Sequence, residues 1–227
     1  MLLHVKSVLS SDQAAQCVAA LQNSSWHDRR DSAGVSTPRL YNNMEPRLDD
    51  PIVRGWSERI QRQLKAIPSF ISNVLPAKIC PPLFSRYTAG QHYGPHNDAA
   101  LMDLSSAQLG WMRCDLAATL FLSKRQDYEG GELSIEDRFN ISKIKLPAGD
   151  MMVYPACTRH WVEPVANGSR IVSYFWIQSL VSDERQRQLL YDFDNVIMEL
   201  SSCAPARKSS KQLLGVYHNL LRMWSAT

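Results

Sequence analysis

The sequence predicts an α+β fold in which a jelly-roll centre lies between helices. The chain has 227 residues and is 44% hydrophobic, so it is long and apolar enough to bury a complete core. After Pro68, many short apolar runs alternate with turn residues, which is typical of a β-sandwich or a barrel. The segments on either side carry apolar residues at helical spacing, so helices precede and follow the strands.

The N-terminal part of the chain is predicted to contain one strand and two helices. Residues 4–9 alternate weakly, as in a strand, and the run Ser10-Ser11-Asp12 begins a helix because its side chains can accept hydrogen bonds from the first-turn amides. The second helix is predicted over residues 51–67. Asp50 caps it and Pro51 occupies its first position, where a missing N–H is harmless.

Residues 26–46 are polar and irregular, with Gly34 and Pro38 as breakers of regular structure. Two interpretations stay open for this segment. It is either a flap over a site or an ordinary surface connection.

Seven strands are predicted in the middle of the chain, and three turns separate some of them. The strands are residues 78–87, 115–122, 132–135, 140–146, 150–154, 160–165 and 170–178. The turns fall at Gly130-Gly131, at residues 147–149 and at Asn167-Gly168. No internal repeat or low-complexity tract interrupts this pattern.

The helical period returns at Ser182 and divides the chain into a domain of residues 1–181 and an extension of residues 182–227. One helix follows Ser182, the segment 203–212 breaks it, and a last amphipathic helix covers residues 213–224. Packing of both helices on the barrel is favoured over a dedicated partner-binding module. A homodimer interface on these helices is left open.

Composition narrows the class of partner and the compartment. The net charge is only +3 and the basic residues are scattered, so we expect no nucleic-acid partner. The five cysteines form no CxxC pair, which fits a reducing compartment. The N-terminus does not resemble a secretory leader, and no apolar run approaches the roughly 20 residues of a membrane span. We therefore expect a cytoplasmic protein without a membrane partner.

The stretch that ends in His96-Asn97-Asp98 is the strongest chemical signal. In an extended segment, residues i and i+2 point to one face, so His96 and Asp98 are aimed together. With His160, they would form the 2-His-1-carboxylate triad of non-heme Fe(II) oxygenases. A helical zinc pair of His92 and His96 is disfavoured because Pro95 lies between them, which makes His92 a loop residue near the site.

Arg170 heads an apolar run and shares one strand face with Val172, Tyr174 and Trp176. A buried guanidinium needs a partner, either a ligand carboxylate gripped by two hydrogen bonds or an internal acidic residue. Tyr87 is a further candidate for that carboxylate. Thr119, which shares a strand face with Phe121, is a candidate wall residue; ordinary core roles stay open for Tyr87 and Thr119.

The motifs RYTAGQHYGPHND, DLAATLFLS, YEGGEL, LPAGDMMVYPA, HWVEPV and RIVSYFWIQS resemble those of the PKHD-type hydroxylases, a prolyl 4-hydroxylase-like branch of the Fe(II)/2-oxoglutarate dioxygenases. The resemblance covers nearly the whole chain. It implies a double-stranded β-helix core of the jelly-roll, cupin-like kind, with helices at both ends. It also implies Fe(II) and 2-oxoglutarate as cofactors, with L-ascorbate as a candidate reductant, and oxidative decarboxylation of the 2-oxo acid to succinate.

The same resemblance assigns roles to individual residues. It implies that His96, Asp98 and His160 bind iron and that Arg170 binds the far carboxylate of 2-oxoglutarate. Val162 and Trp176 match positions that line the cosubstrate pocket in related enzymes. Phe121 stands where some relatives have tyrosine, so no hydroxyl contact is expected from that position.

Two alternative functions and the substrate stay open. A dealkylase of the same chemistry would carry a second arginine six positions after Arg170, where this chain has Trp176. A barrel that binds iron or a small acid without turnover is the other alternative. The substrate is either a small molecule, such as a siderophore-related compound, or a peptide or protein. Residues 26–46 and 99–113 are expected to frame the entrance.

Overall fold

The computed structural model describes residues 2–32 and 41–226, and its strands form two large antiparallel sheets and one small hairpin. The strands are β1 (Leu3–Val5), β2 (Trp26–Asp28), β3 (Tyr41–Asn42), β4 (Met44–Pro46), β5 (Pro76–Ile79), β6 (Leu83–Thr88), β7 (His92–His96), β8 (Leu101–Leu104), β9 (Gly110–Arg113), β10 (Leu116–Phe121), β11 (Tyr128–Gly130), β12 (Leu133–Glu136), β13 (Ile141–Ile144), β14 (Met151–Pro155), β15 (Arg159–Val162) and β16 (Val165–Ser179).

The larger sheet has the order β1-β14-β10-β16-β6-β4-β2, and β5 and β11 also pair with β16. The smaller sheet has the order β13-β12-β15-β7-β3, while β8 and β9 pair with each other. Both large sheets contribute to one apolar core. The predicted α+β architecture, with its double-stranded β-helix core, is confirmed.

Strand β16 is the centre of the larger sheet because it pairs with four others, β5, β6, β10 and β11. Its run of β-branched and aromatic residues suits a buried strand. Alternation along β16 turns Arg170, Val172, Tyr174 and Trp176 toward one cavity.

The helices are α1 (Ser11–Leu21), α2 (Arg29–Ser32), α3 (Pro51–Lys65), α4 (Pro68–Val74), α5 (Glu184–Ser202) and α6 (Arg207–Trp224). The predicted caps are present: Ser10 accepts from the Gln13 amide, and Asp50 accepts from the Ile52 amide. In the described ranges, no helix combines the length and apolar content that crossing a membrane requires.

The C-terminal helices α5 and α6 enclose a second, smaller apolar cluster, centred on Leu190, Ile197 and Tyr217. Helix α5 is capped by Asp183, whose carboxylate accepts from the Arg185 and Gln186 amides. Arg187 is buried at the start of α5, where its Nη1 donates to the carbonyls of Val181 and Ser182, both at 2.7 Å. This junction joins the last strand of the barrel to the helical pair.

Several predicted boundaries are wrong. The predicted strand 78–87 is two strands, because the run Cys80-Pro81-Pro82 interrupts the ladder. Helix α4 begins at Pro68, where the sequence predicts only strands, since proline is well suited to the first helical position. The last helix begins at Arg207 rather than residue 213.

The predicted turn at Asn167-Gly168 is also wrong, because both residues lie within β16 and pair with β11. A Cβ at Gly168 would come within 2.1 Å of the Asp127 carbonyl oxygen, and its φ is +80°. Glycine is therefore required there by close backbone approach rather than by a turn.

Residues 26–46 are not irregular throughout. The described part forms β2, α2, β3 and β4, and β4 extends the larger sheet by pairing with β6. Residues 33–40, on which part of the flap interpretation falls, lie outside the described residues. The remainder of this segment is part of the barrel.

Candidate active site

His96, Asp98 and His160 come together where β7 meets β15. His96 is the last residue of β7 and pairs directly with His160. The Nε2 atoms of His96 and His160 lie 3.7 and 3.8 Å from the Asp98 carboxylate oxygens. One ligand atom from each of the three residues falls within 4.8 Å of the others. This arrangement gives two imidazole nitrogens and one carboxylate oxygen around a common point.

Backbone carbonyls orient both imidazoles. The Nδ1 atom of His96 lies 2.9 Å from the Gly94 carbonyl oxygen, and that of His160 lies 2.9 Å from the Thr158 carbonyl oxygen. A carbonyl oxygen can only accept, so Nδ1 carries the hydrogen in each ring and Nε2 keeps its lone pair. Outer-shell bonds of this kind fix metal-binding histidines.

A register shift in β7 helps to aim these side chains. His160 pairs with His96, but Val162 pairs with Tyr93, so β7 contains one residue more than β15 over this stretch. The extra length falls at Gly94-Pro95, where proline has no N–H for the ladder and glycine's carbonyl is free to accept from His96. Bulges commonly re-aim side chains next to active sites.

The cluster fits a divalent metal such as Fe(II). Burial lowers the pKa of His160, and the neighbouring His96 adds to this effect against the attraction of Asp98. A neutral imidazole is the form that binds a metal. Among the described residues, Asp98 Oδ2 is buried and has no hydrogen-bond partner. Two imidazoles and one carboxylate are typical ligands of non-heme Fe(II), with coordination positions left for small ligands.

Arg170 lies deeper in the same barrel, on β16. Its side chain is 1% exposed, and none of its three guanidinium nitrogens has a hydrogen-bond partner in the part of the chain that the structure describes. The guanidinium carbon lies 5.0 Å from the ring centre of Tyr87 and 5.5 Å from that of Phe121. A buried cation among aromatic rings is costly unless an anion binds it.

A close approach at Gly131 makes room for Arg170. A Cβ at this glycine would lie 3.1 Å from the Arg170 Cδ and 2.9 Å from the Val165 Cγ2, and its φ is +64°. Any larger residue would therefore be strained and would press on the guanidinium stem.

A cavity of about 310 Å³ joins the His96–Asp98–His160 cluster to Arg170. It is also lined by Tyr87, Thr119, Val162 and Trp176, as expected, whereas Phe121 is not among the lining residues. Ala99 and Met102, from the segment expected to frame the entrance, do so as well. His92 does not line the cavity and lies in β7 rather than in a loop. Cys157, the cysteine three residues before His160, is exposed and does not line the cavity either.

The sequence interpretation missed several cavity residues. They are Arg29, Asn43, Glu45, Ser85, Tyr93, Asn97, Tyr154 and Trp161, among others. Asn97 and Trp161 could have been found from their position beside predicted ligands. Arg29, Asn43 and Glu45 come from residues 26–46, the other segment expected to frame the entrance, but no motif singled them out. The pairing of β2 and β4 with the larger sheet brings them to the site.

Comparison with known proteins decides the family. Residues 82–178 match the 2OG-Fe(II) oxygenase superfamily, and residues 184–226 match the PKHD-type hydroxylase C-terminal domain. A PKHD-type hydroxylase of Beijerinckia indica subsp. indica is 44% identical over 225 residues, and one of Stutzerimonas stutzeri is 43% identical over 225 residues. Each alignment covers 99% of both chains. The chain belongs to the PKHD-type hydroxylases.

Solved structures share the fold of this PKHD-type hydroxylase. One is a prolyl hydroxylase of Trichoplax adhaerens in complex with a hypoxia inducible factor peptide fragment (TM-score 0.56, 16% identity, 83% of this chain and 86% of that chain). Another is HygX of Streptomyces hygroscopicus with nickel, 2-oxoglutarate and hygromycin B bound (TM-score 0.54, 15% identity, 78% and 82%). These identities relate the folds, and they leave the substrate open.

Family membership makes this PKHD-type hydroxylase an Fe(II)- and 2-oxoglutarate-dependent dioxygenase that catalyses hydroxylation. The predicted reaction class and its two cofactors, Fe(II) and 2-oxoglutarate, are confirmed at the level of the family.

Proposed function

We propose that this PKHD-type hydroxylase binds Fe(II) through His96, Asp98 and His160, and 2-oxoglutarate through Arg170. The observation that carries the proposal is the buried guanidinium of Arg170, which lacks a hydrogen-bond partner among the described residues and faces the same cavity as the two imidazoles and the carboxylate. A dicarboxylate lying between the Arg170 guanidinium and the His96–Asp98–His160 cluster would interact with both. Its far carboxylate would take the planar fork of the guanidinium, and its 2-oxo acid end would reach the metal.

The metal and the cosubstrate would supply the oxidative chemistry of the reaction. When bound, Fe(II) would let dioxygen convert 2-oxoglutarate to succinate and CO2, with one oxygen atom entering succinate and the other entering the substrate as a hydroxyl group. The protein binds and orients the reactants and excludes water.

Four further residues would shape the cosubstrate pocket. Tyr87 lies beside Arg170 and would offer its hydroxyl to the far carboxylate, because burial raises the pKa of this phenol and keeps its proton in place. Thr119 lies across the sheet on β10, paired with Tyr174. Val162 and Trp176 would form the apolar walls that keep water from the reacting atoms.

The reductant, the substrate class and the compartment of this enzyme are further parts of the proposal. L-ascorbate would serve as a reductant that keeps the iron ferrous. The substrate would be a small molecule or a peptide or protein, rather than a nucleic acid, since the net charge is only +3 and Trp176 stands where a dealkylase would carry its second arginine. We place the protein in the cytoplasm without a membrane partner, and a homodimer through the C-terminal helices is compatible with it.

We further propose that residues 1–181 form the catalytic domain and residues 182–227 an extension packed on it. The separate apolar cluster of α5 and α6 supports this division. Helix α4 also contacts α5, so the extension packs on a helix of the catalytic domain rather than standing apart.

Succinate release from 2-oxoglutarate in air with ferrous iron tests the proposal. The parent protein should release succinate, and Asp98→Ala should lose at least about a hundredfold of this activity, because removing one of three ligands releases the metal. Asp192→Ala, on the exposed side of α5, is the matched control and should behave as the parent.

Metal content measured after desalting completes this test. Asp98→Ala should retain no iron while keeping the circular dichroism spectrum of the parent. Iron retention by Asp98→Ala, or a parent that neither binds nor turns over 2-oxoglutarate, would contradict the proposed function.

A further inference from the structure

Tyr174 and Glu45 form a polar pair in the more exposed half of the cavity. Tyr87, Thr119 and Arg170 are each 5% exposed or less and make up the floor. Tyr174, Trp176 and Glu45 are only partly buried, so they belong to the rim. A molecule that enters after the cosubstrate would meet this rim.

The hydrogen bond between Tyr174 and Glu45 fixes the direction of the phenolic proton. The Tyr174 hydroxyl lies 2.6 Å from Glu45 Oε1. A carboxylate can only accept, so the single phenolic proton points at Glu45 and the phenolic oxygen has only lone pairs left to offer. Burial, and then the negative charge of Glu45, raise the pKa of Tyr174 well above its ordinary value, so the phenol stays protonated.

Arg29 engages the other side of the carboxylate. Its Nε lies 3.4 Å from Glu45 Oε2, while Tyr174 uses Oε1. Sheet pairing holds the two residues in place, because β2 pairs with β4 through His27 and Glu45, and Arg29 follows β2 directly. Glu45 is thus balanced by an internal cation, which argues against a role in binding a cationic substrate.

We propose that Tyr174 and Glu45 form an acceptor pair that determines substrate specificity, at which the substrate presents an N–H or O–H donor. This inference rests on the proposed function, because it places the substrate over the bound cosubstrate. Tyr174 is the specificity-determining residue, and Glu45 is a positioning residue that acts through it. The aromatic neighbour Trp176, whose ring centre is 5.7 Å from that of Tyr174, adds a flat apolar surface beside the donor.

The proton arrangement can be tested first, without a substrate. Protein with ¹³C-labelled tyrosine shows the Cζ resonance of Tyr174, identified by its disappearance in Tyr174→Phe. Glu45→Ala should shift this resonance, since the phenolic proton loses its acceptor. Glu45→Gln should shift it less than Glu45→Ala does, because the amide keeps one oxygen that can accept from the phenol, in competition with Arg29. An unshifted resonance in Glu45→Ala, or equal shifts in both variants, would overturn the positioning role.

A matched pair of probes then tests donor recognition. Indole and 1-methylindole have nearly the same shape, but only indole has an N–H donor and neither has a strong acceptor. We expect protein loaded with Zn(II) and 2-oxoglutarate to bind indole about tenfold more tightly than 1-methylindole, which is the difference that one hydrogen bond allows. Tyr174→Phe should abolish this preference, whereas Tyr191→Phe, on α5, should keep it. Titration followed by ligand NMR measures both affinities.

Each outcome has a definite meaning. Equal binding of the two indoles by the parent, a preference that persists in Tyr174→Phe, or no binding of either up to the solubility limit would overturn the acceptor pair. Succinate release by the same parent sample separates this failure from failure of the proposed function. If the parent turns over 2-oxoglutarate but shows no N–H preference, only the acceptor pair is wrong.

Discussion

Two arginines are buried almost equally in this protein, at the barrel floor and at the junction with the C-terminal helices, and their surroundings differ completely. Arg170 is 1% exposed and Arg187 is 2% exposed. Arg187 donates twice to backbone carbonyls, whereas no guanidinium nitrogen of Arg170 has a partner among the described residues. The charge of Arg187 is satisfied within the fold, whereas the proposed function gives Arg170 its partner in a ligand carboxylate.

The largest difference is expected in cosubstrate binding. Arg170→Met should weaken 2-oxoglutarate binding by about 2–5 kcal/mol, roughly 30-fold to several thousandfold, because the ligand carboxylate would be left without its partner. The 2-oxoglutarate affinity of Arg170→Lys should lie between those of the parent and Arg170→Met, since one ammonium cannot reproduce the planar fork of the guanidinium. Calorimetry of metal-loaded protein measures the dissociation constants.

The control for this prediction is Arg159→Lys, an exposed arginine on β15 that should bind 2-oxoglutarate as the parent does. The apo-protein carrying Arg170→Met should be as stable as the parent or more so, because an unpartnered cation is replaced by an apolar side chain. If Arg170→Lys bound 2-oxoglutarate as tightly as the parent, the comparison between the two arginines would fail.

The second prediction concerns stability at the junction. Arg187→Met should lower the free energy of unfolding by about 2–3 kcal/mol, because the carbonyls of Val181 and Ser182 lose their charged donor. Cosubstrate affinity should stay unchanged, since Arg187 lies in the C-terminal part and not in the cavity lining. Urea unfolding and calorimetry together check both statements. If Arg187→Met lost affinity for 2-oxoglutarate but kept the stability of the parent, the structural role assigned to Arg187 would be wrong.

The smallest effect is expected from the helix cap beside Arg187. Hydrogen bonds from the Gln186 and Arg185 amides lower the pKa of Asp183. The folded state therefore binds a proton less readily than the unfolded chain, so the cap contributes above the ordinary carboxyl pKa and is lost as the pH falls through the lowered value. Asp183→Ala should reduce Tm slightly at neutral pH and show no difference from the parent in strong acid.

Asp183→Asn is the informative companion, because asparagine also caps helices without an ionisable group. It should keep most of the parent's Tm at neutral pH. It should lack the fall in Tm toward acid pH that titration of the Asp183 carboxyl adds in the parent. Thermal melts monitored by circular dichroism over a pH series check this prediction. A decrease for Asp183→Ala that grew toward low pH would contradict the sign.

The two arginines also show how far sequence reasoning reaches. Arg170 was predicted to face inward because strand alternation places it with Val172, Tyr174 and Trp176, and the structure turns all four toward the cavity. Arg187 gave no signal, since its partners are backbone carbonyls that any sequence supplies. Local periodicity identifies a face, and it does not identify the atoms opposite that face.

The same limit applies to the rest of the fold. The spacing of His96, Asp98 and His160 was read from one strand end and one later strand, and the fold brings these residues within 4.8 Å. Residues 26–46 were expected at the entrance, but Glu45 and Arg29 were not singled out within them, because their exact place depends on the pairing of β4 with β6, which no local pattern encodes. Gly168 misled the turn prediction, because a glycine needed for close packing has the same letter as one needed for a turn.

Strand β16 has a consequence for reaction geometry. A strand advances about 3.3 Å per residue, so the Cα atoms of Arg170 and Tyr174 stand about 13 Å apart along one continuous ladder. Under the two proposals above, the same strand therefore carries both the residue that anchors the cosubstrate and the residue that recognises the substrate. An insertion or deletion of one residue between them would turn one of the two side chains out of the barrel. If the proposals hold, such a change would disrupt either cosubstrate binding or substrate recognition.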